Sequence, residues 1–127
     1  MAMFVSKEEV LERMEQAHLS RENLTCVYAN QLAGRVARQF ILAFTNQGIT
    51  LFYIDSWGKL TGQFDFFSGD SLESYRLKKG LMAYKLIVVD KGQVTKLRIN
   101  KFMLGVPWHK EGLENLLSTN YFDKKVN

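Results

Sequence analysis

Between two stretches of helical periodicity lie about eighty residues whose apolar side chains recur every second position, broken by glycines at hairpin sites. A helix, then strands and turns, then a helix limits the fold to small antiparallel barrels or sandwiches capped by a helix. The pattern names no chemistry.

The first helix has a readable start. In Ser6-Lys7-Glu8-Glu9 the Ser6 hydroxyl can accept from the Glu9 amide while the Glu9 carboxylate reaches back, a capping box. Val5 and Val10 hold the staple positions around it, and Val10, Met14 and Ala17 form a narrow apolar stripe. These signals place a helix at 7–18, within a segment 6–19. At the other end Pro107 suits the first position of a helix. Trp108, Leu113, Leu116, Leu117 and Tyr121 supply its apolar stripe, with the helix spanning 106–119. Gly112 inside it lowers helix propensity and allows close packing on a sheet.

The strands fall within 24–104. The first covers 24–32. Phe40, Leu42 and Phe44 then alternate into a turn at Asn46-Gln47-Gly48, followed by a strand at 49–55. A two-residue Gln47-Gly48 loop sets Thr45 opposite Thr50 and Phe44 opposite Leu51. Ile41, Ala43, Phe52 and Ile54 make the second face of this hairpin apolar too. Such a hairpin must be covered on both sides, by the core and by a helix or another subunit. Strand sequence continues at 60–67, resumes at 71–77, and ends in a hairpin of 81–89 and 94–102 around Asp90-Lys91-Gly92-Gln93. In that hairpin Met82, Tyr84, Leu86 and Val88 share a face and meet Leu97 and Ile99. With 127 residues and no linker or repeat, one domain spanning 1–127 is expected, the first helix packing outside the sheet.

Composition excludes several classes. At 46% apolar and 13% aromatic the chain is too rich in large side chains for disorder. The longest apolar runs, at 40–44 and 86–89, are far too short to span a bilayer. A single cysteine, Cys26, and no signal peptide point to a reducing cytoplasm. Cys26 lies in an apolar strand without a flanking base and reads as a buried, inert thiol. His18 reads as a helix C-terminal residue complementing the dipole and His109 as a helix-start residue, neither in a metal-ligand spacing. Gly34, Gly48, Gly58, Gly62 and Gly69 form no phosphate loop, and Asp65 and Asp70 lack a second carboxylate for acid–base work. The expectation is a protein that is not an enzyme and needs no cofactor or metal.

The basic residues carry the one specific signal. If Lys91-Gly92 is a two-residue loop, Lys85 faces Arg98 directly and Lys96 lies diagonal to both on the same outward face. An acid such as Glu73 on the adjacent strand could offset that like-charge opposition. Alternatively Lys85, Lys96 and Arg98, extended by Lys78, Lys79 and Lys101, form an anion-binding patch. The formal charge of +4 permits an anionic partner without demanding nucleic acid, which is disfavoured because no RNA-binding aromatic signature is present.

From Leu24 onward, about three-quarters of the chain resembles a bacterial domain of the pleckstrin-homology (PH) superfold. The likeness is carried by Phe44-Thr45-Asn46 turning into Gly48-Ile49-Thr50-Leu51-Phe52, by the basic Lys78-Lys79-Gly80 turn, and by a terminal helix bearing Trp108 and Leu113. It implies a mainly β, α+β fold: an antiparallel barrel or sandwich of about seven strands, with a C-terminal capping helix and an added N-terminal one. The implied function is protein–protein contact or self-assembly, without an active site. The alternative is a barrel binding a small ligand or an anionic headgroup. Phosphoinositide-binding members place several cations on the first two strands, where this chain offers only Arg35 and Arg38.

Overall fold

The computed structural model describes residues 5–33 and 36–126, apart from the side chains of residues 32, 33, 36 and 37. Gly34 and Arg35 lie outside the described residues.

Helix α1 (Lys7–Gln16) starts on the expected capping box: the Glu9 amide donates to Ser6 Oγ at 3.2 Å and the Ser6 amide to Glu9 Oε1 at 3.3 Å. It ends two residues earlier than the periodicity predicts. His18 takes φ 57° and its amide donates to Glu15 O, while the Leu19 amide donates to Met14 O. That is a Schellman termination with histidine in the left-handed position usually held by glycine.

Among the described residues eight strands follow: β1 (Thr25–Ala33), β2 (Val36–Phe44), β3 (Gly48–Ile54), β4 (Leu60–Ser68), β5 (Leu72–Lys79), β6 (Ala83–Asp90), β7 (Gln93–Asn100) and, beyond helix α2 (Pro107–Ser118), β8 (Lys125–Val126). They form one sheet in the order β4-β3-β2-β1-β7-β6-β5-β8. All pairings are antiparallel except β5 with β8. The molecule is thus mainly β, two meanders joined through β1 and β7. The sheet is open rather than a closed barrel, and mixed because β8 runs parallel to β5. β5 does not resume β4, as the sequence suggests, but opens the second meander.

The sheet nevertheless folds over on itself. In a flat sheet β2 and β5, four places apart, would be roughly 19 Å from each other. The rings of Phe44 on β2 and Tyr75 on β5 are only 5.5 Å apart. Between the two halves lies the main core, with Val27, Phe40, Leu42, Phe44, Ile49 and Leu51 from one side and Leu72, Tyr75, Leu86, Val88, Leu97 and Ile99 from the other. Leu113 and Leu116 of α2 close it. These side chains pack against one another between the two halves.

A second core sits on the outer face of β1–β3. Val10 and Met14 of α1 are fully buried there against Cys26, Tyr28, Ile41, Ala43 and Phe52. The two-faced hairpin is therefore covered by this chain's own first helix, so the face that suggested self-association is already occupied. Cys26 is buried in this core, and desolvation pushes its thiol up to about 12, as an inert thiol requires.

Two local readings need correction. The β2–β3 register pairs Phe44 with Ile49 and Leu42 with Leu51, two residues away from the expected pairing. The turn residues are Asn46-Gln47, closed by the Thr45 amide donating to Gly48 O. Gly48 is a strand glycine: a Cβ there would lie 2.1 Å from Phe67 O of β4. A shift by two preserves parity, so every side chain keeps its expected face. Met82 does not share the inner face of β6; it lies in the β5–β6 turn, exposed.

His109 also departs from its reading as an ordinary helix-start residue. It is fully buried between β1 and β7, which share a single pair, Asn30 with Arg98. At the next pairing position the Tyr28 amide donates to His109 Nδ1 at 3.0 Å, and His109 Nε2 contacts Asn100 O at 2.6 Å. The imidazole thus replaces a missing ladder bond and joins the two meanders. Close approach of α2 depends on Gly112, where a Cβ would meet Cys26 O at 1.9 Å.

Candidate anion-binding site

The Lys91-Gly92 turn has both residues at positive φ, 52° and 78°, the geometry of a type I′ hairpin. It fixes the β6–β7 register with Lys85 opposite Arg98, as the sequence predicts. The β5–β6 register then sets Lys78 opposite Lys85. Three cations form a row across β5, β6 and β7. The neighbouring row on the same face is Arg76, Ile87 and Lys96, from the same two registers. Arg76, Lys78, Lys85, Lys96 and Arg98 are all exposed.

These strands also frame a groove of about 600 Å³. Lys78, Lys79, Lys85, Lys96 and Arg98, the five residues singled out in the sequence, all line it, together with Asn30 and Gln31 of β1 and the Gly80-Leu81-Met82 turn. Among the described residues its lining contains no carboxylate. Gln31 donates to Lys96 O at 3.2 Å, tying β1 to β7, and Arg98 Nε donates to Asn100 Oδ1 at 3.1 Å along β7. Lys101 lies over the Tyr84 ring, 5.5 Å from its centroid, beside the same turn.

Glu73 does not offset this charge. Its carboxylate accepts the Gly92 amide at 2.8 Å and so caps the far tip of the β6–β7 hairpin. Among the described residues no carboxylate forms an ion pair with Lys78, Lys79, Lys85, Lys96 or Arg98. Like charges directly opposed in a sheet destabilise by roughly 0.2–1 kcal/mol per pair. Here Lys78–Lys85 and Lys85–Arg98 both incur that cost without an acidic neighbour.

The second candidate set does not assemble. Arg38 is exposed on β2, opposite Gln31, and does not line the groove, and Arg35 lies outside the described residues. Sequence reasoning missed Arg76 because the Lys78-Lys79-Gly80 turn signal leaves the loop length, and with it the β5–β6 register, unset. It also missed a signal in plain view. Residues 74–110 hold nine cations and one acid, Asp90, for a net +8; the other ninety residues hold eight cations and twelve acids, for a net −4. The overall +4 conceals that separation.

No family model matches this chain, and no curated protein does. Among solved structures it is similar to the hSac2 domain from human phosphoinositide phosphatase Sac2, at 14% identity and a TM-score of 0.42, over 89% of this chain and 79% of that one. That likeness is too distant to carry an inference. No helix among the described residues is long and apolar enough to cross a membrane.

Proposed function

We propose that this protein is a non-catalytic binding module of PH-like architecture that holds an anionic group in the groove of the β5–β7 wall. The observation that carries the reading is that groove: five cations converge on one concavity whose lining, among the described residues, has no carboxylate. The element order supports the architecture, a four-strand and a three-strand meander followed by a helix closing the core. A cytosolic setting belongs to the same reading, supported by the lone buried thiol of Cys26. The anionic alternative now leads over self-assembly, because α1 covers the hairpin face that motivated the latter.

The test is a titration of the full chain with heparin against salt. About four cation–anion contacts make affinity fall on the order of a hundredfold between roughly 50 and 200 mM salt. Lys85→Glu/Arg98→Glu removes most of the binding. Weak binding that responds to neither salt nor substitution would mark the wall as a solvated face and defeat the proposal.

A further inference from the structure

We propose that a second copy of this chain pairs with the outer edge of β4, joining two sheets across a two-fold axis. This edge is neither part of the β5–β7 wall nor the hairpin face that α1 covers, and the proposal does not depend on anion binding. Among the described residues β4 ends the sheet, and residues 61–66 are all exposed. The strand holds no lysine, arginine or proline, the residues that usually blunt a free edge. Its one charge, Asp65, accepts from Tyr53 Oη of β3 at 2.5 Å and so is turned back over the sheet. The register shows which backbone groups are free. The Gly69 amide donates to Gln47 O at 2.8 Å, one step beyond the pair Gly48–Ser68. Bonded pairs alternate in an antiparallel ladder. Asp65 and Phe67 therefore bond to β3, while Phe64, Phe66 and Ser68 turn their amides and carbonyls outward. Ser68 O also accepts from Ser71 Oγ at 3.3 Å and keeps a second lone pair.

Antiparallel self-pairings through those groups differ in register, and the sequence separates them. Phe64 opposite Phe66 of the second copy sets Asp65 against Asp65 at close range, a like-charge pair. Phe64 opposite itself requires Gly62 to continue the ladder, but Gly62 has φ 92° and the β3–β4 register slips there. Phe66 opposite itself has neither fault: Phe64 meets Ser68, Asp65 meets Phe67, and only the regular part of the strand is used. Phe66–Phe66 and the two Phe64–Ser68 pairs then exchange about six backbone hydrogen bonds. The side chains agree with this register. Phe64 and Phe66 lie on the α1 side of the sheet, opposite Phe52 and Thr50, and are 40% and 41% exposed. Phe64 packs on Phe52 with ring centroids 5.9 Å apart, and the Phe66 ring lies over Gly48. Across the axis each Phe66 faces its copy and lies diagonal to the other Phe64, so four rings close over the seam. The edge is thus complementary to itself in hydrogen bonds, charge and apolar surface, which is what an isologous contact requires.

The experiment is sedimentation equilibrium of the full chain, with amide hydrogen exchange read residue by residue over the same concentrations. The mass rises from 14.7 kDa to twice that value, with a Kd on the order of 10–100 μM for an interface below standard size. The Phe64 and Phe66 amides exchange freely in dilute solution and at least about tenfold more slowly in the dimer, while those of Asp65 and Phe67 are slow throughout. Phe66→Lys, which sets two ammonium groups across the axis, weakens association at least about tenfold. Exchange needs no variant, so the test survives if Phe66→Lys fails to fold. Under oxidant Phe66→Cys couples into a dimer and Asp65→Cys does not, because residues paired on the axis have Cα atoms about 5.5 Å apart, within disulfide reach. A chain that stays monomeric to about 1 mM overturns the proposal and leaves the edge to a strand of another protein. Dimers whose Phe64 and Phe66 amides stay unprotected, or that Phe66→Lys does not weaken, use another surface and overturn it too. Coupling through Asp65→Cys in place of Phe66→Cys overturns the register.

Discussion

At the scale of single residues His109 bears the most structural weight. Its Nδ1 accepts from the Tyr28 amide, so in the neutral ring the proton sits on Nε2 and is donated to Asn100 O. Protonation would turn the acceptor into a second donor facing an N–H and place a charge among apolar groups. Burial accordingly lowers the pKa of His109 below its ordinary value, the Nε2 bond to Asn100 O opposing part of that shift. A depressed folded pKa means the stabilisation is fully present above the unfolded value of about 6.5. It is lost as pH falls below that and through the folded value. Urea unfolding at neutral and mildly acidic pH will show wild type losing more stability on acidification than His109→Gln. Parallel profiles for wild type and His109→Gln would disprove this role. His109→Leu leaves two buried backbone groups unpaired, at about 1–3 kcal/mol each.

Among the elements, α1 behaves as part of the core rather than an appendage. Met14 is fully buried against the outer face of β1–β3, in one cluster with Ile41 and Phe52. Met14→Ala should cost about 2–5 kcal/mol in chemical unfolding; a loss below about 0.5 kcal/mol would mean that the helix lies loosely on the sheet. The elements readable in the sequence are those set by local chemistry: the capping box at Ser6, proline opening α2, and the Lys91-Gly92 turn that fixes β6 against β7. What escaped reading depends on distant chain. Gly48 looks like a turn glycine until β4 is placed with Phe67 O against it. β8 is two residues long and held by remote groups: Lys124 O accepts the Tyr75 amide, and Lys125 Nζ donates to Leu117 O at 2.5 Å, capping the end of α2. His109 carried no local mark of burial, since the gap it fills exists only once β1 and β7 diverge.

For the whole molecule, arrangement of charge matters more than its total. The candidate site was legible because one hairpin turn determined which lysine faces which arginine; the net charge gave no hint of it. This yields a direct comparison. Lys85→Glu/Arg98→Glu and Lys7→Glu/Lys59→Glu each lower the formal charge from +4 to 0. Lys7 is the first residue of α1, where a glutamate favours the helix dipole, and Lys59 is exposed in the β3–β4 turn. Neither lines the groove. If binding followed net charge, the two variants would lose affinity for heparin equally. Because field lines concentrate where the cations cluster, the groove variant should lose on the order of a hundredfold and the distant variant less than about threefold at physiological salt, where screening acts over about 8 Å. Equal losses would show that total charge draws the protein to anions and that the Lys78–Lys85–Arg98 row has no special part in it. A loss confined to the groove variant places recognition on the β5–β7 wall, where two unrelieved like-charge pairs already cost the sheet stability.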